Sequence, residues 1–228
     1  MEILFEDNHL IAVNKSVADI VQPDKSGDLS LEEKVKQYLR EKYQKKGNVF
    51  LGVVHRIDRP VSGVVLFART SKALERLNKM FHDREVKKIY WAIVKNPPPQ
   101  PEGTLIHYLK RDARKNKTYA FDKPAGDAKE AVLHYKILAK SDRYYLLKIM
   151  IETGRHHQIR CQLAMMGCPI RGDLKYGFPR SNPDGGISLH ARKIELAHPV
   201  GGEPLVIVAP PPSEALWNYF VNQVAGGE

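Results

Sequence analysis

One carboxylate, Asp58, lies between Arg56 and Arg59 just before the apolar residues 64–67. The apolar run predicts a buried strand, and Gly63 at its start allows the backbone to turn tightly. We therefore expect Asp58 at the rim of a sheet, where a ligand can reach it. The simpler interpretation is a loop acid in ordinary surface ion pairs with the two arginines.

A second candidate for chemistry is the segment 154–160, which reads Gly-Arg-His-His-Gln-Ile-Arg. We predict a helix over residues 156–166, so free backbone N–H groups would gather at its start beside Arg155 and Arg160. On that helix Arg160 would share a face with His156, four residues earlier. A basic surface helix is the simpler interpretation.

Other polar groups in the sequence indicate a reactive site less strongly. His156 and His157, with Cys161 nearby, suggest a metal site, but neighbouring helix residues point about 100° apart and no third ligand has suitable spacing. Ser62 with His55 matches no nucleophile motif, so acyl transfer is not indicated. A glycine-rich phosphate loop and a dinucleotide fingerprint are also missing from the sequence.

The charge favours a polyanionic partner. The chain has 36 Lys and Arg against 26 Asp and Glu, which gives a net charge of +10 over 228 residues. Such an excess attracts nucleic acid, although solubility alone can explain part of it. The basic residues form clusters suited to phosphate contacts at Lys45-Lys46, Arg84 with Lys87-Lys88, and residues 110–117.

The periodicity predicts an α+β fold. Strands are expected at 3–5, 10–13, 64–67, 87–94, 130–138, 144–151, 189–191 and 205–208, and helices from Ser30 to Tyr43, from Thr70-Ser71, over 156–166 and from Ser213. Because strands do not alternate regularly with helices, a mixed, largely antiparallel central sheet flanked by helices and loops is favoured over a doubly wound sheet. We expect residues 1–228 to form one domain, with the proline-rich turn at 97–101 as a possible subdomain boundary.

Several classes of protein are excluded or disfavoured. The apolar stretches are strand-sized, so we expect no membrane-spanning segment. The first residues lack a secretory pattern, and two cysteines, Cys161 and Cys168, make no disulfide framework. The simplest location is a reducing cytoplasm.

Taken together, these segments resemble the RluA-type pseudouridine synthases over nearly the whole chain. The resemblance rests on the order and spacing of segments 5–15, 55–63, 88–92 and 154–160 and of the pairs Gly172-Asp173, Tyr176-Gly177 and Leu189-His190 with Ala191. Each motif alone is weak. The resemblance implies a pseudouridine synthase fold with an RNA-binding catalytic cleft.

The sequence departs from the family pattern at two places. Ser16-Val17-Ala18 stands where the family has Pro-x-Gly, and Val61 stands where the family has threonine. Neither change touches Asp58, but the first can alter the loop at the edge of the cleft. The chain also begins directly at the first strand of the catalytic domain, so we expect no appended N-terminal RNA-binding domain.

The resemblance implies the conversion of uridine in RNA to pseudouridine, in which the N1–C1′ bond breaks and C5 bonds to C1′. It assigns the carboxylate to Asp58, the counter-charge that keeps it ionised to Arg160, and a ring that stacks on uracil to Tyr90. Whether Asp58 attacks C1′ or removes the 2′ proton stays open at this stage.

The target base must be flipped out of its stack to reach such a carboxylate. Arg56 is a candidate to fill the vacated space or bind phosphate, and Arg155 and Gln158 to contact the backbone or the base. An isomerisation needs no redox partner, so the resemblance implies no cofactor and no metal.

The expected partner is ribosomal or transfer RNA, and we expect a monomer. One alternative is an RNA-binding or RNA-folding protein whose catalysis is incidental or lost, which would share the basic surface and the fold. Another is a metal-dependent nuclease, which predicts bound divalent metal and strand cleavage. The site residues Asp58, Tyr90 and Arg160 favour the enzyme.

Overall fold

The computed structural model describes residues 1–225 and confirms the α+β class. The strands are β1 (Glu2–Glu6), β2 (Leu10–Lys15), β3 (Gly52–Val53), β4 (Ser62–Ala68), β5 (Lys87–Val94), β6 (Glu102–Asp112), β7 (Lys117–Phe121), β8 (Lys129–Lys140), β9 (Tyr145–Ile151), β10 (Leu189–Ala197) and β11 (Pro204–Val208). The helices are α1 (Leu31–Lys42), α2 (Ser71–His82), α3 (Gln158–Met165) and α4 (Ala215–Ala225), and a short 3-10 turn covers Leu174–Tyr176.

The chain divides into two compact units. The first contains Met1–Lys87 and Ala191–Pro210, and the second contains Lys88–His190 and the chain from Pro211 onwards. The proline-rich turn at 97–101 lies inside the second unit, so a subdomain boundary there is wrong. Strand β5 ends at Val94, three residues before the first proline of this turn.

The first unit has the strand order β1-β2-β4-β10, with β3 beside β4 and β11 beside β10. Strands β2 and β4 are antiparallel, with Val13 opposite Val65. All seven residues of β4 are buried, as its unbroken apolar run predicts. Around β4 the apolar side chains of β2, α2, β10 and β11 form one core cluster.

The helices of the first unit begin where the sequence predicts. Ser30 caps α1 in a full capping box with Glu33, and Thr70 caps α2 by accepting from the N–H of Ala73. Leu77 of α2 is fully buried, and Phe81 packs partly buried against the same core. Helix α2 therefore packs on strand β4, which follows the turn of Asp58.

The second unit has the strand order β5-β9-β8-β6-β7, and each pair in it is antiparallel. Helix α4 places Trp217 and Phe220 against Trp91, Ile93 and Leu146. It begins at Ala215, two residues later than predicted, after a proline-rich approach. Strand β6 spans 11 residues, longer than the short strands expected between the turn at 97–101 and Glu152.

The predicted start of α3 is wrong. The helix begins at Gln158, and His157 precedes it with a left-handed backbone at a φ of 52°. His156 and Arg160 therefore do not share a helical face. The predicted end is correct, because Gly167 follows the cap residue Met166 with a φ of +83°.

Among the helices of the described residues, none has the length and apolar character needed to cross a membrane.

Replacement of Gly63 by alanine tests the packing of β4 within the first unit. Gly63 has a φ of +116°, and an added Cβ would lie 2.3 Å from the carbonyl oxygen of Ala191. We expect Gly63→Ala to lower the free energy of unfolding by about 3 kcal/mol, from steric overlap and backbone strain together. Urea denaturation measures it, with Gly47→Ala as control because an added Cβ there meets nothing within 4 Å. Equal stability of the two variants would contradict the close approach.

Candidate active site

Asp58 lies in a tight turn that leads into β4. The N–H of Val61 donates to the carbonyl oxygen of Asp58 at 3.0 Å, which closes the turn. Ile57 and Val61 on either side are buried, whereas Asp58 itself is half-buried. The buried apolar neighbours anchor the turn in the first unit, and Asp58 is partly exposed between them.

Two of the basic residues near Asp58 in sequence, His55 and Arg59, are fixed by contacts with other parts of the first unit. Arg59 donates to Asp28 at 2.6 Å, and both side chains are about half exposed. His55 accepts from the N–H of Leu66 at 2.9 Å and stacks on Phe81. Arg56 is exposed. These contacts hold the two ends of the segment, so the position of Asp58 is set by its surroundings.

Lys15 at the end of β2 holds the backbone directly after Asp58. It is 1 % exposed, and its ammonium donates to the carbonyl oxygens of Ser16 at 2.8 Å and Arg59 at 3.0 Å. Burial lowers the pKa of Lys15 to about 8, while Asp19 and then Asp58 act in the opposite direction. In the sequence Lys15 stands out only as part of a motif, because nothing in its type or spacing indicates burial.

The departure from Pro-x-Gly lies in contact with the same carbonyl group. Ala18 adopts a φ of 70°, a left-handed conformation that favours glycine, and its N–H donates to the carbonyl oxygen of Arg59 at 3.1 Å. The loop therefore keeps a glycine-like backbone although it has lost the glycine. The bond to Arg59 shows why: this turn helps to fix the Asp58 segment.

Tyr90 lies in the middle of β5 in the second unit, opposite Ile149 of β9. Its neighbours Ile89 and Trp91 are buried on the other face of the strand, and Tyr90 is half-buried. The tyrosine is thus fixed by a regular ladder, with its ring on the opposite face from the cluster that α4 covers.

Arg160 in α3 forms a buried, two-pronged ion pair with Asp173. Its Nε lies 2.7 Å from Asp173 Oδ2 and its terminal nitrogen 2.9 Å from Oδ1. The two residues are 5 % and 1 % exposed. Asp173 entered the sequence analysis only through the Gly172-Asp173 motif, and its role as an anchor for Arg160 was missed.

Gln158, predicted to contact RNA, is buried and holds the turn before α3. Its side-chain oxygen accepts from the Thr153 hydroxyl at 2.8 Å and from the Arg155 N–H at 3.0 Å. Its side-chain nitrogen donates to the carbonyl oxygen of Val132 at 3.1 Å. Arg155 is exposed and donates to the carbonyl oxygen of Glu130 at 3.3 Å. Contacts of Gln158 and Arg155 with RNA stay predictions.

The histidines before α3 are held by internal contacts. Their rings stack with centroids 3.8 Å apart, and His156 Nδ1 lies 2.8 Å from the Thr118 hydroxyl. Cys161 is buried, and burial raises its pKa to about 12. The part of the chain that is described contains no cluster of three or more His, Cys, Asp or Glu placed to hold a metal ion.

A family model described as RNA pseudouridylate synthase matches residues 9–165, a range that contains Asp58, Tyr90 and Arg160. The chain belongs to this family. It is an RNA pseudouridine synthase, an isomerase, and the resemblance to the RluA type seen in the sequence is confirmed.

Two relatives and one solved structure illustrate the similarity. Ribosomal large subunit pseudouridine synthase C of Rickettsia prowazekii is 32% identical, over 97% of this chain and 70% of that protein. The tRNA pseudouridine synthase C of Pectobacterium carotovorum is 31% identical, over 98% of this chain and 62% of that protein. The fold matches human RNA pseudouridylate synthase domain containing 4 with a TM-score of 0.78 at 23% identity, over 98% of this chain and 93% of that one.

The buried ammonium of Lys15 predicts a pH dependence of stability. Its pKa in the folded protein, about 8, lies below the usual 10.5, so between these values the unfolded chain binds the proton and the folded protein does not. Stability contributed by this group therefore rises with pH across that window. Relative to Lys15→Met, the wild-type free energy of unfolding should rise by up to about 3 kcal/mol between pH 8 and 10.5.

Urea denaturation at a series of pH values measures this difference. Lys46→Met at an exposed position controls for the loss of a lysine. If the wild-type free energy of unfolding instead fell relative to that of Lys15→Met as the pH rises, the burial of a charged Lys15 would be contradicted.

Proposed function

We propose that this synthase converts specific uridines of ribosomal or transfer RNA to pseudouridine, with Asp58, Tyr90 and Arg160 as its catalytic residues. The observation that carries the proposal is the family match over residues 9–165, which spans all three. Relatives named for ribosomal and for transfer RNA both support an RNA substrate of this kind. The alternative of an RNA-folding protein without catalysis is not favoured.

In the proposed reaction the N1–C1′ bond of uridine breaks, the uracil turns, and C5 bonds to C1′. C5 then loses a proton and N1 gains one, so the product is an isomer and no electrons are exchanged. Asp58 either attacks C1′ or removes the 2′ proton, and in both cases it must be ionised. The proposal gives Arg160 the role of counter-charge to this carboxylate.

Tyr90 provides an aromatic ring on a rigid strand, and uracil can stack on such a ring. Its hydroxyl can help to remove the C5 proton. The target base must be flipped out for these contacts. The exposed guanidiniums of Arg56 and Arg155 are suited to the RNA backbone or the vacated stack, and Gln158 supports the turn that carries Arg155.

The hairpin of β6 and β7 is the strongest candidate for phosphate contacts outside the site. Arg111, Arg114 and Lys115 are exposed at or near its tip, and Lys110 pairs with Asp127 at 2.6 Å. Exposed cations bind phosphate without sequence preference and release counterions. We therefore assign general RNA affinity to this hairpin.

We further propose that the two units act together as one catalytic domain, that the protein works as a monomer, and that it is located in the cytoplasm. The family match spans residues of both units. The two cysteines are free and buried, as suits a reducing compartment.

Replacement of the proposed catalytic carboxylate tests the function. Asp58→Asn keeps the size of the side chain and removes its charge, so pseudouridine formation should fall by at least about 10³-fold while RNA binding is retained. Mass spectrometry or chemical mapping of ribosomal and transfer RNA measures the product. Asp142→Asn is the matched control, because Asp142 is exposed in the turn between β8 and β9.

Wild-type activity in Asp58→Asn would remove the proposed role of Asp58. Wild-type protein that binds RNA without forming pseudouridine would favour the RNA-folding alternative instead. Cleaved RNA and loss of activity with EDTA would indicate the metal-dependent nuclease.

Neutralising the hairpin tests its contribution to RNA affinity. The double variant Arg114→Ala/Lys115→Ala should lower affinity for all RNAs alike and reduce the slope of log K against log salt by about two, since each phosphate contact contributes about one. Filter binding over a salt series measures it. Lys140→Ala/Arg143→Ala removes the same charge from the exposed turn between β8 and β9 and should leave the slope unchanged.

A further inference from the structure

Tyr176 joins two parts of the second unit through its hydroxyl group. The hydroxyl accepts from the N–H of Thr118 at 2.8 Å and donates to the carbonyl oxygen of Thr118 at 3.2 Å. It also lies 2.9 Å from Nδ1 of His157, directly before α3. Thr118 belongs to β7, so one buried side chain ties that strand to the start of the helix.

The ring of Tyr176 lies against Arg160. The guanidinium carbon is 5.1 Å from the ring centroid, within the range of a cation–π contact. Asp173, the ion-pair partner of Arg160, precedes the same 3-10 turn, three residues before Tyr176. The turn therefore supplies both the charge and the surface that orient the guanidinium.

The Tyr176 hydroxyl has a hydrogen-bond partner for its one proton and for its oxygen. Burial raises the pKa of Tyr176 to about 12, so the group keeps its single proton at neutral pH. If that proton goes to the carbonyl of Thr118, His157 must carry its own proton on Nδ1 and donate to the hydroxyl. Removing the oxygen would then leave the buried N–H and C=O of Thr118 without this partner.

The strand held in this way carries one side of the basic hairpin. Thr118 follows Lys117, the first residue of β7, and the exposed residues of the tip precede it. The Thr118 hydroxyl also donates to the carbonyl oxygen of His156 at 2.9 Å. Strand β7 is thus tied to the residues before α3 by two sets of bonds at the same threonine.

We propose that Tyr176 is a positioning residue with two separable roles: its ring holds Arg160, and its hydroxyl holds the basic hairpin in the orientation that receives RNA. The proposal rests on the proposed function, in which Arg160 serves the reaction and the hairpin binds phosphate. It follows that the ring affects turnover and the hydroxyl affects RNA affinity.

Two substitutions separate the roles. Tyr176→Phe keeps the ring and removes the hydroxyl, so we expect KM for RNA to rise five- to tenfold with kcat within twofold of wild type. Tyr176→Leu removes both and should lower kcat at least tenfold in addition. Unchanged KM in Tyr176→Phe, or wild-type kcat in Tyr176→Leu, would overturn the proposal.

A double-mutant cycle tests whether the hydroxyl acts through the hairpin. In the Arg114→Ala/Lys115→Ala background, Tyr176→Phe should cause a smaller loss of RNA affinity than in wild type, because two of the three exposed cations of the tip are already gone. If Tyr176→Phe reduced RNA affinity by the same factor in both backgrounds, the hydroxyl would not act through the tip, and this role would be overturned.

Thr118→Val provides a second, independent variant. It removes the hydroxyl that holds His156 and leaves Tyr176 in place, so it should weaken RNA affinity with kcat preserved. If Tyr176→Phe does not fold by thermal melting, this variant decides, and unchanged affinity overturns the proposal.

Wild-type protein is assayed in parallel. If the wild type forms no pseudouridine, the proposed function fails. If the wild type is active and the variants are unaffected, only the role of Tyr176 is rejected.

Discussion

The buried ion pair of Arg160 with Asp173 is the constraint on which the second unit depends. Removing a guanidinium and a carboxylate from water is costly, and the two short bonds between them and the Tyr176 ring against the guanidinium offset part of that cost. Loss of one partner of such a pair typically costs about 3–5 kcal/mol, because the other charge stays buried. The start of α3, the 3-10 turn and strand β7 are consequently fixed relative to a single guanidinium.

The first unit also contains a buried cation, which is a lysine. The ammonium of Lys15 is buried against two backbone carbonyl groups, one of which belongs to the residue after Asp58. A carbonyl oxygen is a weaker partner for a cation than a carboxylate, and the lowered pKa of Lys15 reflects this difference. The segment of Asp58 is therefore positioned by a desolvated lysine that binds backbone carbonyl dipoles. The segment of Arg160 is positioned by a desolvated guanidinium that is paired with a carboxylate.

The sequence predicts the regular elements well and the special backbone conformations poorly. The capping box at Ser30 and the apolar run of β4 are local signals, and both are confirmed. The predicted start of α3 is wrong because a histidine in a left-handed conformation has no sequence signature. The left-handed backbone of Ala18 could not be predicted for the same reason. The burial of Lys15 and the anchoring of Arg160 depend on contacts distant in sequence, so periodicity could not show them.

The divided first unit has a consequence for synthesis. Ile194 and Ile207 belong to the same apolar core as Val64, yet residues 88–190 must be translated before they emerge. Until then β4, which is buried along its whole length in the finished protein, lacks its neighbour β10. A growing chain with an uncovered apolar strand is prone to aggregation. The order of translation thus leaves the core of the first unit incomplete until the chain has passed residue 207.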